Sequence, residues 1–230
     1  MHVEVPKKGA LASLKTFAAE YAMIVVSILT ALALEHAATS WHRKHQAHEA
    51  EDRIKAEIAY NLAELRKNIA RNELEIKKFS ELRELMRDAI EQGDDKTGQD
   101  KAAFTAELNR RHKEKTRGHF DLKVGTPVLR REAWEVAVAS QAASWIDTAA
   151  LQRYSSVYAT QRDMTPFLNS TITTLSGPAV LGTMTQMSVK GTKTTREIFQ
   201  FYADLCNTLQ LLQGSMKDLE STITQNMGKA

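Results

Sequence analysis

In "SWHRKHQAHEAED" His42, His45 and His48 recur at every third position, and Glu49 and Asp52 follow the last two by four residues. Imidazoles and carboxylates one helical turn apart are ligands that zinc or copper accepts. The chemistry to weigh first is therefore a metal site built from His42, His45, His48 and Glu49. A spacing of three keeps neighbours on one helical face but swings the outer pair about 120° apart. His48-Glu49 opens like the H-E-x-x-H pattern of zinc peptidases, yet Asp52 stands where the second histidine belongs. His112 and His119 lie in another segment and complete no ligand set. The competing reading is the start of a helix leaving a bilayer, with histidines and basic residues facing headgroups and water. The incomplete ligand set favours that second reading, with no metal and no cofactor.

Other chemistries are missing their parts. Gly93 and Gly98 have P-loop spacing, but Gln99-Asp100 replaces the Lys-Ser/Thr pair and no strand precedes. There is no G-x-S-x-G turn and no pair of Glu-x-x-His motifs for a bundle di-iron centre. Cys206 is the only cysteine, which excludes an intrachain disulfide and a cysteine zinc cage, and no base is evident beside it. The chain reads as a non-enzyme. One charged feature remains: Arg110, Arg111, Lys113, Lys115, Arg117, Lys123, Arg130 and Arg131 face few acids over a stretch of about twenty residues. It suits a solvated connector or an anionic partner. A net charge of +3 and the lack of a recognition motif argue against nucleic acid.

The elements that must carry these residues are helical. Four prolines and ten glycines in 230 residues leave long uninterrupted runs of helix-forming side chains. From Phe17 to Leu34 the only charge is Glu20, and eighteen residues of helix span about 27 Å, close to hydrocarbon thickness. Tyr21 and Trp41 at the two ends, with Arg43 and Lys44 beyond, are the residue types that anchor a span at its interfaces. A cleaved signal peptide ending near Ala31-Leu32-Ala33 and a buried core helix are the rivals; Glu20 weakens the first. Glu20, Ser27, Ala31 and Glu35 share a helical stripe of small and polar groups, which suits helix pairing in lipid. Lys7, Lys8 and Lys15 before the run nearly balance Arg43, Lys44, Arg53 and Lys55 after it, so orientation is weakly set; the expectation is a body outside the inner membrane, in the periplasm.

Beyond Trp41 nothing breaks a helix before Gly93, and Ile58, Leu62, Leu65, Ile69, Ile76, Phe79, Met86 and Ile90 follow three-four spacing, with Asn72 and Arg83 interrupting the seam. A short helix is expected over 101–115. Another opens at Pro127, with Trp134, Val138 and Trp145 on one face. A fourth is capped by Asp147 and bent at Pro166. A mobile loop is expected over 176–194, and a last helix behind the capping box Thr194-x-x-Glu197. The expected fold is all-α: residues 1–16 a basic tail, 17–41 a transmembrane helix with its interface, and 42–230 an antiparallel helical bundle that the long helix enters directly.

The order of these pieces resembles a family of uncharacterised bacterial single-pass membrane proteins, a domain of unknown function. The resemblance rests on an apolar helix bracketed by Glu20 and Glu35, then Trp41 and basic residues, then "EIAYNLAEL" (Glu57 to Leu65). A second block runs from "VLRREAW" to "YATQ" and contains Trp134, Tyr158 and Gln161. It implies location and architecture rather than an activity. The expected function is a membrane-anchored scaffold or accessory protein that contacts the bilayer and either a second copy or a membrane-protein partner. A sensory or ligand-binding bundle signalling through a partner is the alternative, and a histidine-cluster metal-binding protein the third reading. A polar pocket inside the bundle would favour sensing, and a closed apolar core would favour scaffolding.

Overall fold

The computed structural model describes residues 10–93, 96–116, 121–189 and 193–228. Helix α1 runs unbroken over Ala10–Gly93, about 126 Å at the standard rise. No glycine or proline interrupts the sequence between Ala10 and Gln92. The chain turns at Gly93, where the Lys96 amide donates to the Gly93 carbonyl (3.3 Å), and again at Gly98, whose φ of 60° lies in the region where a missing Cβ removes the steric cost.

Helix α2 (Gly98–Thr116) folds back along α1. Gly93 lies against Phe104 near its start, and Lys115 reaches Glu81 (3.0 Å) near its end. Residues 121–131 then continue toward the N-terminal part of α1 without regular structure, as a strap. Helix α3 (Glu132–Ala139) follows. Gln141 turns the chain with a left-handed φ of 62°, and a 3-10 turn over Ala142–Trp145 leads into α4 (Thr148–Leu175). Asp147 caps α4 by accepting from the amides of Ala149 (3.0 Å) and Ala150 (3.2 Å). Helix α5 covers Pro178–Ser188, and α6 (Thr195–Met227) starts at the capping box formed by Thr194 and Glu197.

Paired residues give the directions. Arg66, Asn72 and Ser80 of α1 meet Glu220, Met216 and Cys206 of α6, so α6 opposes α1. Glu51, Glu57 and Asn61 meet Tyr154, Tyr158 and Gln161, so α4 runs parallel to α1. The strap makes this possible, because it carries the chain back along α1 before α4 begins. The core lies between α1, α4 and α6. Ile54, Ile58, Leu65, Phe79, Leu82 and Met86 of α1 pack with Leu209, Leu212, Met216, Leu219 and Ile223 of α6, all essentially inaccessible. Burying each such side chain contributes roughly 1.5–3 kcal/mol.

Three expectations are corrected. No helix opens at Pro127; helix begins at Glu132, because α1 side chains take up the backbone groups of 125 and 130 that a helix would satisfy internally. Trp134, Val138 and Trp145 do not share a buried face: Trp134 stacks on Tyr158 (5.3 Å), while Val138 and Trp145 are about half exposed. The stretch 176–194 is not a loop throughout, since Pro178 opens α5 at the first helical turn, where its missing N–H costs nothing; residues 190–192 lie outside the described set. Pro166 lies inside α4, as expected, and faces solvent.

The N-terminal part of α1 stands clear of this core. From Thr16 to Gln46 no described residue is buried, and the first buried position is Ala47. Among the described residues one helix, α1, is long and apolar enough to cross a membrane, and none of its apolar window is buried against the others.

Candidate functional site

The most organised polar cluster is a clasp on α1. Glu57, Asn61, Asn68 and Asn72 lie within about 60° of arc at 100° per residue, and all four are buried. Asn72 treats Gly125 as a strand neighbour would. Its Nδ2 donates to the Gly125 carbonyl (2.8 Å), and its Oδ1 accepts from the Gly125 amide (2.9 Å). Asn61 repeats this at Arg130, accepting from the amide (2.8 Å) and donating to the carbonyl (2.8 Å). Glu57 accepts from the Ala133 amide (2.9 Å) at the start of α3. Asn68 donates to the Glu64 carbonyl (2.8 Å), and its Oδ1 would lie 2.2 Å from a Cβ at Gly125. The absence of that Cβ is what lets the strap lie so close to α1.

Helix α4 closes the clasp from the other side. Tyr158 donates to Glu57 Oε1 (2.6 Å), Gln161 donates to the Arg130 carbonyl (2.9 Å), and Asn61 donates to Gln161 Oε1 (3.2 Å). Burial and the facing Glu57 carboxylate hold the Tyr158 phenol well above its ordinary range, so it stays a donor. Trp134 stacks on Tyr158, and the Arg130 guanidinium lies over the Tyr60 ring (3.8 Å). The stretch from Glu57 to Leu65 and the later block with Trp134, Tyr158 and Gln161 therefore meet here. Asn61, Asn72, Tyr158 and Gln161 spend their hydrogen bonds on one another, on Glu57 and on the strap backbone, so the cluster locks the strap and α4 onto α1. The signal was present in the sequence as Glu57, Asn61, Asn68 and Asn72 on the stripe that also carries the apolar seam; treating Asn72 as an interruption concealed it.

The histidines are placed differently from a ligand set. His42 meets Gln46 (3.0 Å), His45 meets Glu49 (3.2 Å) and stacks on Trp41 (5.8 Å), and His48 meets Asp52 (3.6 Å). All are exposed, and among the described residues no three His, Cys, Asp or Glu side chains converge to hold an ion. Glu20, Ser27, Ala31 and Glu35 are exposed on the uncovered part of α1, where the Ser27 hydroxyl donates to its own helix at Met23 (2.8 Å). Tyr21, Trp41 and Lys44 are exposed too, and the Arg43 guanidinium lies over Trp145 (4.3 Å).

The basic stretch does not form a single patch. Arg110 is held by Glu107 (2.6 Å) and Glu114, Lys115 by Glu81, and Arg131 by Glu135 (3.3 Å). Glu81 and Asn61, which mark the levels of Lys115 and Arg130, are about 30 Å apart along α1. Arg111 and Lys113 are exposed on α2, and Arg117 and His119 lie outside the described residues.

A second, part-buried polar contact fastens α2. A ring nitrogen of His112 meets the Tyr202 hydroxyl (2.6 Å), and Tyr202 stacks on Phe79 (6.2 Å). Burial pushes the His112 imidazole below its ordinary value of 6.5, so the fold prefers the neutral ring. The unfolded chain then takes up a proton first. The stabilisation is complete above pH 6.5 and is lost as pH falls below it. Amide exchange in α2, corrected for the intrinsic rate, is expected to accelerate between about pH 7 and 5, and His112→Gln to flatten that dependence. Equal pH dependence in both chains would show that His112 is not the sensor.

Arg131 Nε and Gln213 Oε1 are the buried side-chain polar atoms without a partner among the described residues. A half-open cavity of about 410 Å³ lies where the strap, α4 and α5 meet; Leu122, Val124, Ile172, Leu175, Leu181 and Met184 line it, with Asp121 and Ser176. No protein-family model, curated protein or solved structure matches the chain.

Proposed function

We propose that the chain is a membrane-anchored helical scaffold or accessory protein, held in a bacterial inner membrane by the N-terminal part of α1 with its body on the periplasmic side. The observation that carries this reading is the apolar stretch of α1 that no other described residue covers. A buried core helix would be covered, and one that is not must find another apolar environment. Membership of the single-pass family belongs to the same proposal: the clasp gives Glu57, Asn61, Trp134, Tyr158 and Gln161 a common structural role, which suits a shared architecture without a shared reaction. Glu20, Ser27, Ala31 and Glu35 would pair the anchor with a second copy or another membrane protein, completing a bundle that is antiparallel between α1 and α6.

The core filled by Leu209, Leu212 and Leu219 supports scaffolding over a buried ligand site. The alternative of a sensory bundle draws its support from the cavity beside α5, which has the volume of a small-molecule site but mostly apolar walls. Metal carriage has the least support, because the exposed histidines pair along their own helix. Photocrosslinking in living cells from exposed Leu74 and Leu211, with buried Leu209 as control, tests the scaffold reading. Discrete adducts from the exposed sites are expected. Exposed sites that give no more adduct than Leu209 would remove it. A reporter fused at the C-terminus decides the side of the membrane.

A further inference from the structure

We propose that the corner between α3 and α4 is a second, off-axis contact with the bilayer, in which Trp145 sits in the headgroup layer beside Arg43. This rests on the reading that α1 spans the membrane. With Phe17 to Leu34 as the hydrocarbon-crossing stretch, Arg43 follows Leu34 by nine residues, about 13 Å along the axis. Side chains on a helix lean toward its N-terminus, here toward the lipid. A long arginine side chain also carries its guanidinium several ångströms further in that direction. The headgroup layer is roughly 5–8 Å deep on each face, so the Arg43 guanidinium reaches phosphate level. The Trp145 ring lies 4.3 Å from that guanidinium, which keeps it within one helical turn of the same depth.

The corner is built so that this ring stays out. Ala142, Ala143 and Ile146 around Trp145 are buried, together with Ala47 and Ala50 of α1 and Ala150 of α4, whereas Trp145 remains 48% exposed and Trp41 is 70% exposed. Small residues bring the corner close to α1, and Gln141 holds a left-handed conformation that costs an ordinary residue energy. The one acid at the tip, Asp147, turns its carboxylate to the α4 amides of Ala149 and Ala150. What faces the lipid is an amphipathic indole beside Arg43, with exposed Lys44 next along α1, a grouping suited to an anionic headgroup surface. A single helix can tilt and rotate freely in a bilayer. A second contact displaced from its axis fixes both, and with them the direction in which the body points.

The test uses the full chain in vesicles of phosphatidylcholine and phosphatidylglycerol, with Trp41→Phe and Trp134→Phe leaving Trp145 as the sole indole. A nitroxide on the lipid headgroup is expected to quench its emission strongly and one deep in the acyl chain only weakly. A chain retaining only Trp134 is expected to respond to neither. An independent measurement keeps the other indoles: Trp145→Ala should lose part of the headgroup quenching seen in the unaltered protein. Trp145 left unquenched while a Trp41-only chain is quenched overturns the corner contact and leaves the spanning helix intact. A Trp41-only chain that is also unquenched, in protein released by alkaline carbonate, removes the spanning helix and this inference with it.

Discussion

Replacing Asn61 by alanine is expected to destabilise the body by about 2–4 kcal/mol, a large fraction of the total for an ordinary domain. The side chain holds the amide and carbonyl of Arg130 and the Gln161 side chain at once. Truncation leaves the part-buried Arg130 amide with no acceptor and breaks the link to α4. Each unsatisfied buried group costs about 1–3 kcal/mol. Asn61→Asp is expected to fall between, since a carboxylate still accepts from the Arg130 amide but cannot donate to its carbonyl. Lys67→Ala on the exposed side of the same helix should change stability by less than about 0.5 kcal/mol. Urea unfolding of the full chain in a mild detergent measures all three. If Asn61→Ala behaves like Lys67→Ala, the strap is not held by this clasp.

Aspartate at both Val26 and Leu29 is expected to eject the chain from the membrane fraction. Each sits near the middle of the apolar stretch, and a charge there costs about 2.5–3.5 kcal/mol against insertion, so the pair opposes it by about 5–7 kcal/mol. Both side chains are 60% exposed and touch no part of the folded body. A water-facing helix would therefore accept the same changes with little effect on folding. Alkaline carbonate extraction separates the two cases. Retention of the double variant in the pellet at the level of the unaltered chain would exclude a membrane-spanning role for this segment.

Much of the architecture could be read directly because its causes are local. The break between Gly93 and Gly98, the Asp147 cap, the Thr194–Glu197 box and the apolar repeat from Leu205 to Ile223 depend on residues a few positions apart. The uncovered apolar run belongs with them, since hydropathy and length are properties of one segment. The candidate site was less legible. Asn72 reads as a fault in an apolar seam until its partner is known, and that partner is Gly125, 53 positions further on.

Sequence alone determined helix content, the main caps and breaks and the apolar stretch of α1, because helical hydrogen bonds and periodic burial are written within a few turns. Tertiary structure decided the rest. Only packing could show that residues 121–131 lie extended as a strap, that α4 runs parallel to α1, and that Trp145 ends beside Arg43. Those outcomes rest on amide, carboxyl and ring contacts between residues roughly 50 to 100 positions apart. Local propensity carries no record of a partner that distant, so an asparagine that mimics a neighbouring strand looks the same as one that faces water.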